Sequence, residues 1–264
     1  MTGIVAEDVA VTLGGVRILD GISIRVEPGE WLSLIGPNGA GKSTLLRALG
    51  GAVRHEGAIA LGSEAPGELS HREIARRVAI VPQRPTVPVG LTVTDYVLLG
   101  RTPYISYLGT EATSDLSVVA ELLERLDLTG FAGRDLTALS GGEFQRAVLA
   151  RALAQGAPIM LLDEPTSALD VGHAQQVLEL IDGLRREHGL TIVTAMHDLT
   201  TVAQYADRLL LLADGKAVAA GSPREVLTAE LITRHYGANV RIVEIADGGM
   251  VVVPVRVTEP LARP

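Results

Sequence analysis

The chain has 264 residues, of which 47% are hydrophobic and 3% aromatic, and its formal net charge is −8. This length allows one large domain or two small ones, and the acidic balance disfavours a nucleic-acid polyanion as the main partner. Cysteine is absent, which excludes disulfides and thiolate chemistry, and because neither a signal-peptide core nor an apolar run of membrane-spanning length occurs, we expect a soluble, cytoplasmic protein.

The N-terminal part and the centre of the chain predict two kinds of sheet. Alternating apolar residues in 2–27 favour antiparallel strands, and residues 58–62 could add another. Short aliphatic runs bounded by polar or turn residues then predict buried strands at Trp31–Ile35, Val78–Val81, Ile159–Leu162 and Thr191–Ala195. Helical patterns lie between several of these strands, at Gly41–Leu49, Glu143–Ala154 and Ala174–His188. Alternation of strands with helices predicts a largely parallel α/β sheet.

Residues 84–138 form a region of different character. Turn-forming residues come first, and helical stretches follow around Val93–Leu99 and Leu116–Leu126. The pattern predicts a helical insert in the α/β core. With the helix that follows it, the insert extends over about residues 84–155.

The C-terminal part of the chain predicts a β-hairpin. Two apolar runs, Val240–Ala246 and Val251–Val257, flank the turn signal Asp247-Gly248-Gly249. This hairpin is too short to be a separate ligand-sensing domain. The sequence therefore predicts one main domain over residues 1–239 and a short β-hairpin extension over residues 240–264.

The segment Gly36–Thr44 carries the clearest chemical signal. Residues 36–43 fit the P-loop pattern G-x-x-x-x-G-K-[ST], between an apolar strand-like run and a stretch of helix formers. Glycines let consecutive backbone N–H groups turn inward around phosphate oxygens, and the positive helix N-terminus favours the anion. In this pattern Lys42 reaches the β- and γ-phosphates and Ser43 holds Mg²⁺. A glycine-rich turn without a ligand is the alternative, which the motifs downstream weaken. The predicted nucleotide-binding residues are Gly36, Pro37, Asn38, Gly39, Ala40, Gly41, Lys42, Ser43 and Thr44.

Two adjacent carboxylates, Asp163 and Glu164, end the apolar run that begins at Pro158. In an open α/β sheet, ligands bind beyond the carboxyl ends of strands, so Asp163 can bind Mg²⁺ directly or through water. Glu164 is placed to polarise an attacking water, and a general base of this kind contributes about 10²–10⁴-fold to the rate. The alternative is an acidic turn that starts a helix before Pro165.

Three further polar features are candidates for the same site. Ser140-Gly141-Gly142-Glu143 fits a capping box for the next helix, yet two glycines are also what a backbone approaching a phosphate needs, so both interpretations stay open. His197 follows the last of the four predicted strands, on the same edge as Glu164, and we interpret it as a γ-phosphate sensor. Gln83 similarly follows a predicted strand, and its amide could join the Mg²⁺ or water shell.

In the order and spacing of these motifs, from about residue 4 to residue 235, the chain resembles the ATP-binding subunit of ABC transporters. The matching segments are Gly36–Thr44 (Walker A), Gln83 (Q-loop), Leu139–Gln145 (signature), Ile159–Glu164 (Walker B), Ser167–Asp170 (D-loop) and His197 (switch histidine). The resemblance implies an α/β fold: a P-loop ATPase core with an N-terminal antiparallel β subdomain and a helical subdomain insert. It also implies hydrolysis of ATP with Mg²⁺ as cofactor.

The resemblance further implies a head-to-tail homodimer that encloses two ATP molecules. Each ATP would lie between Walker A of one subunit and the signature and D-loop of the other, and the capped helix would aim its N-terminus across the interface. The residues implied to act in trans are Ser140, Gly141, Gly142 and Asp170. The implied roles in cis are Mg²⁺ binding by Ser43, Gln83 and Asp163, catalysis by Gln83, Glu164 and His197, and a link to the membrane partner through Gln83.

The segment Gly100–Tyr104 indicates a narrower group within this family. It is similar to the helical insert of ATPases that serve iron–siderophore, haem and cobalamin importers, in which a V-x-x-G-R-x-P pattern precedes an aromatic residue or histidine. The resemblance implies peripheral attachment to an integral membrane permease at the cytoplasmic face of the inner membrane, through Arg101, Tyr104 and Tyr107, with a substrate-binding protein as indirect partner. Three alternatives stay open: an aromatic core under a loop, an importer ATPase for an oxyanion or metal ion, and a non-transport ATPase of the iron–sulfur assembly type.

One position departs from the family pattern. Family members usually carry an aromatic residue, commonly tyrosine, before the glycine pair that matches Gly14-Gly15, whereas this chain has Leu13. Leucine cannot stack on adenine as an aromatic ring does. We therefore predict weaker base discrimination and some hydrolysis of GTP.

Overall fold

The structure is a computed structural model, and it describes residues 2–86, 88–106, 109–167, 169–245 and 249–256. The strands in these ranges are β1 (Ile4–Leu13), β2 (Val16–Val26), β3 (Trp31–Ile35), β4 (Glu56–Leu61), β5 (Val78–Val81), β6 (Ile159–Asp163), β7 (Thr191–Ala195), β8 (Arg208–Ala213), β9 (Lys216–Gly221), β10 (Val240–Glu244) and β11 (Met250–Pro254). The α-helices are α1 (Lys42–Leu49), α2 (His71–Ala75), α3 (Val93–Leu98), α4 (Thr113–Arg125), α5 (Gly141–Ala154), α6 (Val171–His188), α7 (Leu199–Tyr205), α8 (Pro223–Val226) and α9 (Ala229–Tyr236). In the described part of the chain, no helix combines the length and the apolar character needed to cross a membrane.

The predicted parallel sheet is present, and it brings the loops of the candidate site to one edge. Its strand order is β5-β6-β7-β3-β8-β9, in which every neighbouring pair is parallel except β8 with β9. Because β3, β5, β6 and β7 run in the same direction, the P-loop, Gln83, Glu164 and His197 all follow strand ends on the same side. The predicted bounds of β3, β5 and β7 are confirmed, and β6 is one residue longer because Asp163 pairs with Ala195.

The central strands are buried on both faces, which explains their continuous apolar sequence. In β3, Trp31 and Ile35 pack in the core shared with the helices, whereas Leu32 and Leu34 pack in the core shared with β1, β2, β4 and α1. The smaller sheet has the order β2-β1-β4 with antiparallel neighbours, as the alternating N-terminal sequence predicts. A tight turn at Gly14-Gly15 joins β1 to β2.

The predicted helical insert is present as α3, α4 and α5, which pack on one another. Tyr96 is fully buried among them, and its hydroxyl accepts a hydrogen bond of 3.1 Å from Arg151 Nη1. Arg101 forms an ion pair of 2.8 Å with Asp115, and only 14% and 8% of the two side chains are exposed. The insert therefore has polar contacts of its own, independent of the sheet.

Two helices begin earlier than the sequence predicts, because residues before them act as N-caps. α5 begins at Gly141 rather than at Glu143, since the Ser140 hydroxyl accepts a hydrogen bond from the Glu143 N–H. α6 begins three residues early because the Asp170 carboxylate caps it. Gly141 and Gly142 consequently lie in the first turn of α5, where backbone N–H groups have no partner inside the helix.

The C-terminal hairpin is formed by β10 and β11, which pair antiparallel. Residues 246–248 and 257–264, which contain most of the predicted turn and the end of the second predicted strand, lie outside the described ranges. Met250 is only 5% exposed, and the Val252 N–H donates a hydrogen bond of 3.1 Å to Thr200 Oγ1. The hairpin thus packs on α7, the helix that follows His197.

Candidate nucleotide site

The P-loop between β3 and α1 has a backbone that only glycine can adopt at its critical positions. Gly36, Gly39 and Gly41 have φ angles of 145°, 82° and 100°. A β-carbon at Gly36 would collide with the carbonyl oxygen of Leu212, and one at Gly41 would lie 2.5 Å from Leu19 Cδ2. No side chain caps the N-terminus of α1, so its first N–H groups are available to an anion.

Lys42 lies across this loop. Its Nζ donates hydrogen bonds of 2.7 Å to the Gly36 carbonyl and 3.1 Å to the Pro37 carbonyl, and 7% of the residue is exposed. Burial lowers the pKa of Lys42, while the carboxylates of Glu164 and Asp163 act in the opposite direction. Among the described residues, the hydrogen bonds of the ammonium group go to backbone oxygens, which a stronger acceptor such as phosphate can replace.

Ser43 and Asp163 come together as the P-loop and Walker B patterns predict. The Ser43 hydroxyl donates a hydrogen bond of 2.9 Å to Asp163 Oδ1. Burial raises the pKa of Asp163, and the hydrogen bond from Ser43 opposes that shift. A hydroxyl, a carboxylate and the nearby amide of Gln83 are hard oxygen donors of the kind that Mg²⁺ prefers. The residues present therefore fit a magnesium ion.

Glu164 is the centre of a small polar cluster at the same edge. Gln83 Nε2 donates a hydrogen bond of 2.6 Å to Glu164 Oε2, and His197 Nδ1 lies 3.6 Å from the same oxygen. Glu164 has a φ of 49°, in the left-handed region, which costs a residue with a side chain on the order of 1–3 kcal/mol. Its N–H still pairs with the Ala195 carbonyl at 2.9 Å. The strained backbone turns the chain sharply at the strand end, beside a cleft of about 410 Å³ that Glu164 and His197 help to line.

We call Lys42, Ser43, Gln83, Asp163, Glu164 and His197 the core edge, and Ser140, Gly141 and Gly142 the signature end. The signature end is satisfied locally: the Ser140 N–H donates a hydrogen bond of 2.8 Å to Glu143 Oε2, and the Glu143 N–H donates one of 3.4 Å to Ser140 Oγ. These bonds hold the pKa of Glu143 below its ordinary value. Among the described residues, no hydrogen bond or ion pair joins the signature end or Asp170 to the core edge.

Two residues that sequence reasoning missed orient the predicted ones. His173 Nδ1 lies 2.8 Å from Asp170 Oδ2, and its ring contacts the backbone of Gly142 so closely that a β-carbon there would lie 2.9 Å from its Cδ2. Asp198 caps α7 by accepting a hydrogen bond of 3.0 Å from the Thr200 N–H, which fixes the turn after His197. In both cases the signal was an aspartate placed to cap a helix.

The residues expected to contact a membrane partner differ in exposure. Arg101 donates hydrogen bonds of 2.8 Å to Asp115 Oδ1 and to the Ala154 carbonyl, and its guanidinium carbon lies 4.0 Å from the centroid of the Tyr104 ring. Tyr104 is 39% exposed. Arg101 is therefore engaged within the chain and supports Tyr104, which is presented to the outside. Tyr107 lies outside the described residues.

Leu13 lies at the turn between β1 and β2, where it pairs with Val16. The two residues are 41% and 60% exposed. The position that usually carries an aromatic ring therefore presents an aliphatic surface.

A glycine cradle at the start of a helix, with a lysine, a serine–aspartate pair and a glutamate at the ends of parallel strands, defines a P-loop nucleoside-triphosphatase site. Residues 19–167 match the family model for ABC transporters, and the chain belongs to this family.

The alignments with curated relatives cover nearly the whole length of this chain. The chain is 44% identical to the hemin import ATP-binding protein of Rhodococcus jostii, over 95% of this chain and 86% of that protein. It is 42% identical to the cobalamin import ATP-binding protein of Halobacterium salinarum over 92% of this chain, and spans 61% of that relative's length. It is 37% identical to the ferric enterobactin transport ATP-binding protein of Escherichia coli, over 96% of this chain and 94% of the relative.

Solved structures give the same result. A metal-chelate type ABC transporter in an inward-facing conformation superposes with a TM-score of 0.85 at 29% identity, over 98% of this chain and 99% of that chain. A dimeric, post-hydrolysis ATP-binding cassette with bound ADP and Pi superposes with a TM-score of 0.73 at 29% identity, over 84% of this chain and 99% of that chain. The predicted ABC ATPase fold is confirmed.

Proposed function

We propose that this protein is the ATP-hydrolysing subunit of an ABC importer that moves an iron–siderophore complex, haem or cobalamin through a membrane permease. The observation that carries the hydrolytic part is the convergence of Gln83 and His197 on the Glu164 carboxylate, beside the Ser43–Asp163 pair. The substrate class rests on the relatives, whose names are those of hemin, cobalamin and ferric enterobactin transport proteins.

In this proposal the core edge binds ATP by exchanging internal contacts for phosphate contacts. Lys42 leaves the carbonyls of Gly36 and Pro37 and donates to the β- and γ-phosphates, while the N–H groups at the start of α1 bind the phosphate chain. Ser43, Asp163 and Gln83 hold Mg²⁺, which when bound neutralises charge on the phosphate oxygens.

Hydrolysis depends on Glu164. Its carboxylate accepts a proton from the attacking water, and the hydrogen bond from Gln83 fixes the carboxylate's orientation. His197, close to the same carboxylate, donates to the γ-phosphate and so places the water between base and phosphorus. Gln83 touches both this cluster and, in our proposal, the metal, which suits a residue that reports the state of the site to the membrane partner.

The signature end acts on the ATP of a second copy. Ser140, Gly141 and Gly142 lie at the N-terminus of α5, whose first-turn N–H groups have no contact with the core edge among the described residues, and Asp170 caps α6 beside them. A head-to-tail homodimer places this helix terminus against the phosphates bound by the other subunit. The dimeric cassette with ADP and Pi supports such an arrangement.

A mixing experiment tests the division of the site. Lys42→Ala inactivates the P-loop, and Ser140→Arg blocks the signature end, so each variant alone should be inactive. In a mixed head-to-tail dimer one of the two sites combines an intact P-loop with an intact signature end, and ATP hydrolysis should reappear when the variants are mixed. Continued inactivity of mixtures that demonstrably form dimers would place both halves of a site in one chain.

The membrane partner is a permease, with the protein attached to the cytoplasmic face of the inner membrane. The residues on either side of Tyr104 help to line a groove of about 610 Å³, whose lining includes His71, Arg72, Thr102, Pro103, Ile105 and Ser106. The groove and the exposed ring of Tyr104, which packs against the Arg101 guanidinium, support a partner contact at this face, and Tyr107 follows in the sequence. Residues 1–239 form the ATPase domain and 240–264 its short extension.

The transport function is tested in the host. Deletion of the gene, in a strain that lacks other importers of these chelates, should abolish uptake of one of three radiolabelled compounds: ferric siderophore, haem or cobalamin. The wild-type gene should restore uptake and Glu164→Gln should not. Normal uptake of all three compounds in the deletion strain would reject the substrate class.

A further inference from the structure

The C-terminal helix α9 ends at a tyrosine whose hydroxyl has no use in the fold as described. The Tyr236 oxygen is buried, and no hydrogen-bond partner for it is found among the described residues. A buried hydroxyl without a partner is uncommon in native proteins and calls for an explanation from strain, water or function. Tyr236 is not part of any motif that the sequence singled out.

The hydroxyl oxygen faces the P-loop. Burial raises the pKa of Tyr236 to about 12, and the backbone N–H of Gly36 lowers it in part because that N–H points its positive end at the phenol oxygen. The two groups approach without reaching hydrogen-bond geometry. The Gly36 carbonyl, on the other side of the same residue, accepts the hydrogen bond of 2.7 Å from Lys42 Nζ. Gly36 is therefore hydrogen-bonded to Lys42 at its carbonyl, while its N–H faces the phenol oxygen of Tyr236.

Tyr236 also lines a cavity of about 240 Å³ with His197 and Asp198. Val240 and Val252 of the hairpin also line this cavity. The cavity is large enough for several water molecules, so the phenol can accept from Gly36 while donating its proton into the cavity. The first glycine of the P-loop and the histidine at the end of β7 thus share one neighbour from the C-terminal part of the chain.

The hairpin is anchored to the turn that carries His197. The Val252 N–H donates to Thr200 Oγ1 at 3.1 Å, and the backbone N–H of Thr200 in turn donates to the Asp198 carboxylate at 3.0 Å. Asp198 and the hairpin, which line the same cavity, are therefore connected by two hydrogen bonds, each from a main-chain N–H to a side-chain oxygen.

We propose that Tyr236 is a positioning residue of the nucleotide site: through Gly36 and the cavity it shares with His197, it sets the P-loop relative to the γ-phosphate sensor. This inference rests on the proposed function in that the P-loop and His197 serve the same ATP. When Lys42 leaves the Gly36 carbonyl for phosphate, Tyr236 holds this residue from its other side, as the Gly36 N–H closes on the phenol oxygen. The C-terminal segment is then part of the catalytic unit rather than an appendage.

The test is Tyr236→Phe, which removes the hydroxyl and keeps the ring. The Kd for ATP without Mg²⁺, the kcat and KM of hydrolysis, and the Tm are measured for each protein. We expect the Kd to rise and kcat to fall, each by about fivefold, the effect of one modest hydrogen bond, with a Tm close to wild type. Thr200→Val removes the hydroxyl that accepts the hydrogen bond from the Val252 N–H of the hairpin. This variant should also lower kcat, by a smaller factor.

Tyr96→Phe is the matched control because it also removes a buried tyrosine hydroxyl, but from the helical insert. It should lower the Tm and leave Kd, KM and kcat unchanged. Wild-type Kd and kcat in Tyr236→Phe, whatever its Tm, would overturn the proposal, and so would an equal effect of Tyr96→Phe on Kd. Failure of the wild-type protein to hydrolyse ATP would reject the proposed function instead, and the Kd comparison would still decide the role of Tyr236.

Discussion

The core edge and the signature end both carry residues that we assign to ATP, yet their polar groups are satisfied in opposite ways. At the core edge the contacts join residues far apart in the chain, as in Ser43 with Asp163 and Gln83 with Glu164. At the signature end Ser140 and Glu143 bond to each other within one turn of α5. The core edge is thus assembled by the tertiary fold, whereas the signature end is complete once its helix forms.

This difference matches the requirements of a site divided between two copies. A surface that must meet a partner repeatedly benefits from donors that are already oriented, because little conformational entropy is then lost on contact. The core edge, in contrast, must change internal contacts during each cycle, since Lys42 is bonded to carbonyl oxygens of its own chain. Substitutions at the core edge should therefore change the rate of ATP hydrolysis. Substitutions at the signature end should also change that rate, but they should leave the Kd of a single chain for ATP unaltered.

The largest effect is expected for Glu164→Gln. Loss of the general base should lower ATP hydrolysis by about 10²–10⁴-fold. The Kd for ATP should stay within about twofold, because the amide oxygen can still accept the hydrogen bond from Gln83. Phosphate release and equilibrium binding are the measurements. Glu179→Gln, at a carboxylate that accepts a hydrogen bond from the Tyr205 hydroxyl, is the control and should hydrolyse ATP normally. A near-wild-type rate for Glu164→Gln would end its assignment as the base.

Gly142→Ala tests the signature end. The new methyl group would lie 2.9 Å from His173 Cδ2, so the helix terminus or the imidazole must shift. Such a displacement should lower the hydrolysis rate by about 10- to 10²-fold and leave the Kd of a single chain for ATP unchanged. Gly183→Ala in α6 is the matched control, since a β-carbon there meets open space. A weaker Kd in Gly142→Ala would show that the signature end binds the nucleotide of its own chain.

Asp115→Asn tests whether the Arg101–Asp115 pair supports the fold and not the chemistry. The hydrogen bond from Arg101, with that from the Ala112 N–H, holds the pKa of Asp115 below its ordinary value. This stabilisation is fully present above the unfolded pKa, about 3.9, and is lost as the pH falls through the lowered folded-state pKa. The variant should lose several degrees of Tm at pH 7, with a gap to wild type that narrows below about pH 4.

Thermal unfolding between pH 7 and pH 3 measures this gap, with kcat at low temperature expected to be unchanged. Asp20→Asn, at an exposed aspartate paired with Arg17, is the control and should have a Tm close to wild type. A Tm gap that does not depend on pH would mean that the loss comes from packing and not from the ionised carboxylate.

The smallest effect is expected for Leu13→Tyr. An aromatic ring at this exposed turn can stack on adenine, which should lower the Kd for ATP by about two- to tenfold and reduce hydrolysis of GTP. Leu116→Tyr, at a 46% exposed leucine in α4, is the control for adding a surface tyrosine. An unchanged Kd for ATP in Leu13→Tyr would mean that adenine is held elsewhere, and strict specificity of the wild-type protein for ATP would contradict the interpretation of Leu13.

Much of this comparison could be predicted from sequence because it follows from burial and chain order. A strand covered on both faces needs a continuous aliphatic run, so β3, β5 and β7 were predicted with their observed bounds. The same strands fix the edge at which Gln83, Glu164 and His197 meet, without any knowledge of their distances.

The remaining features depend on contacts that no local pattern encodes. The left-handed backbone of Glu164, directly after β6, is one of them. The engagement of Arg101 inside the insert depends on where α4 packs, and the position of Tyr236 against Gly36 depends on how the C-terminal helix returns to the sheet. These are tertiary effects, and they decide which predicted residues face a ligand and which support one.

The two hydrogen bonds from Lys42 to the carbonyls of Gly36 and Pro37 have a consequence for turnover. An ammonium group that already has two acceptors gains little net energy when phosphate replaces them, so this contact contributes less to affinity than a vacant lysine would. After hydrolysis the same two carbonyls can accept hydrogen bonds from Lys42 again. The departure of ADP therefore leaves the ammonium group without an unsatisfied charge. These two hydrogen bonds therefore lower the cost of exchanging spent nucleotide for fresh.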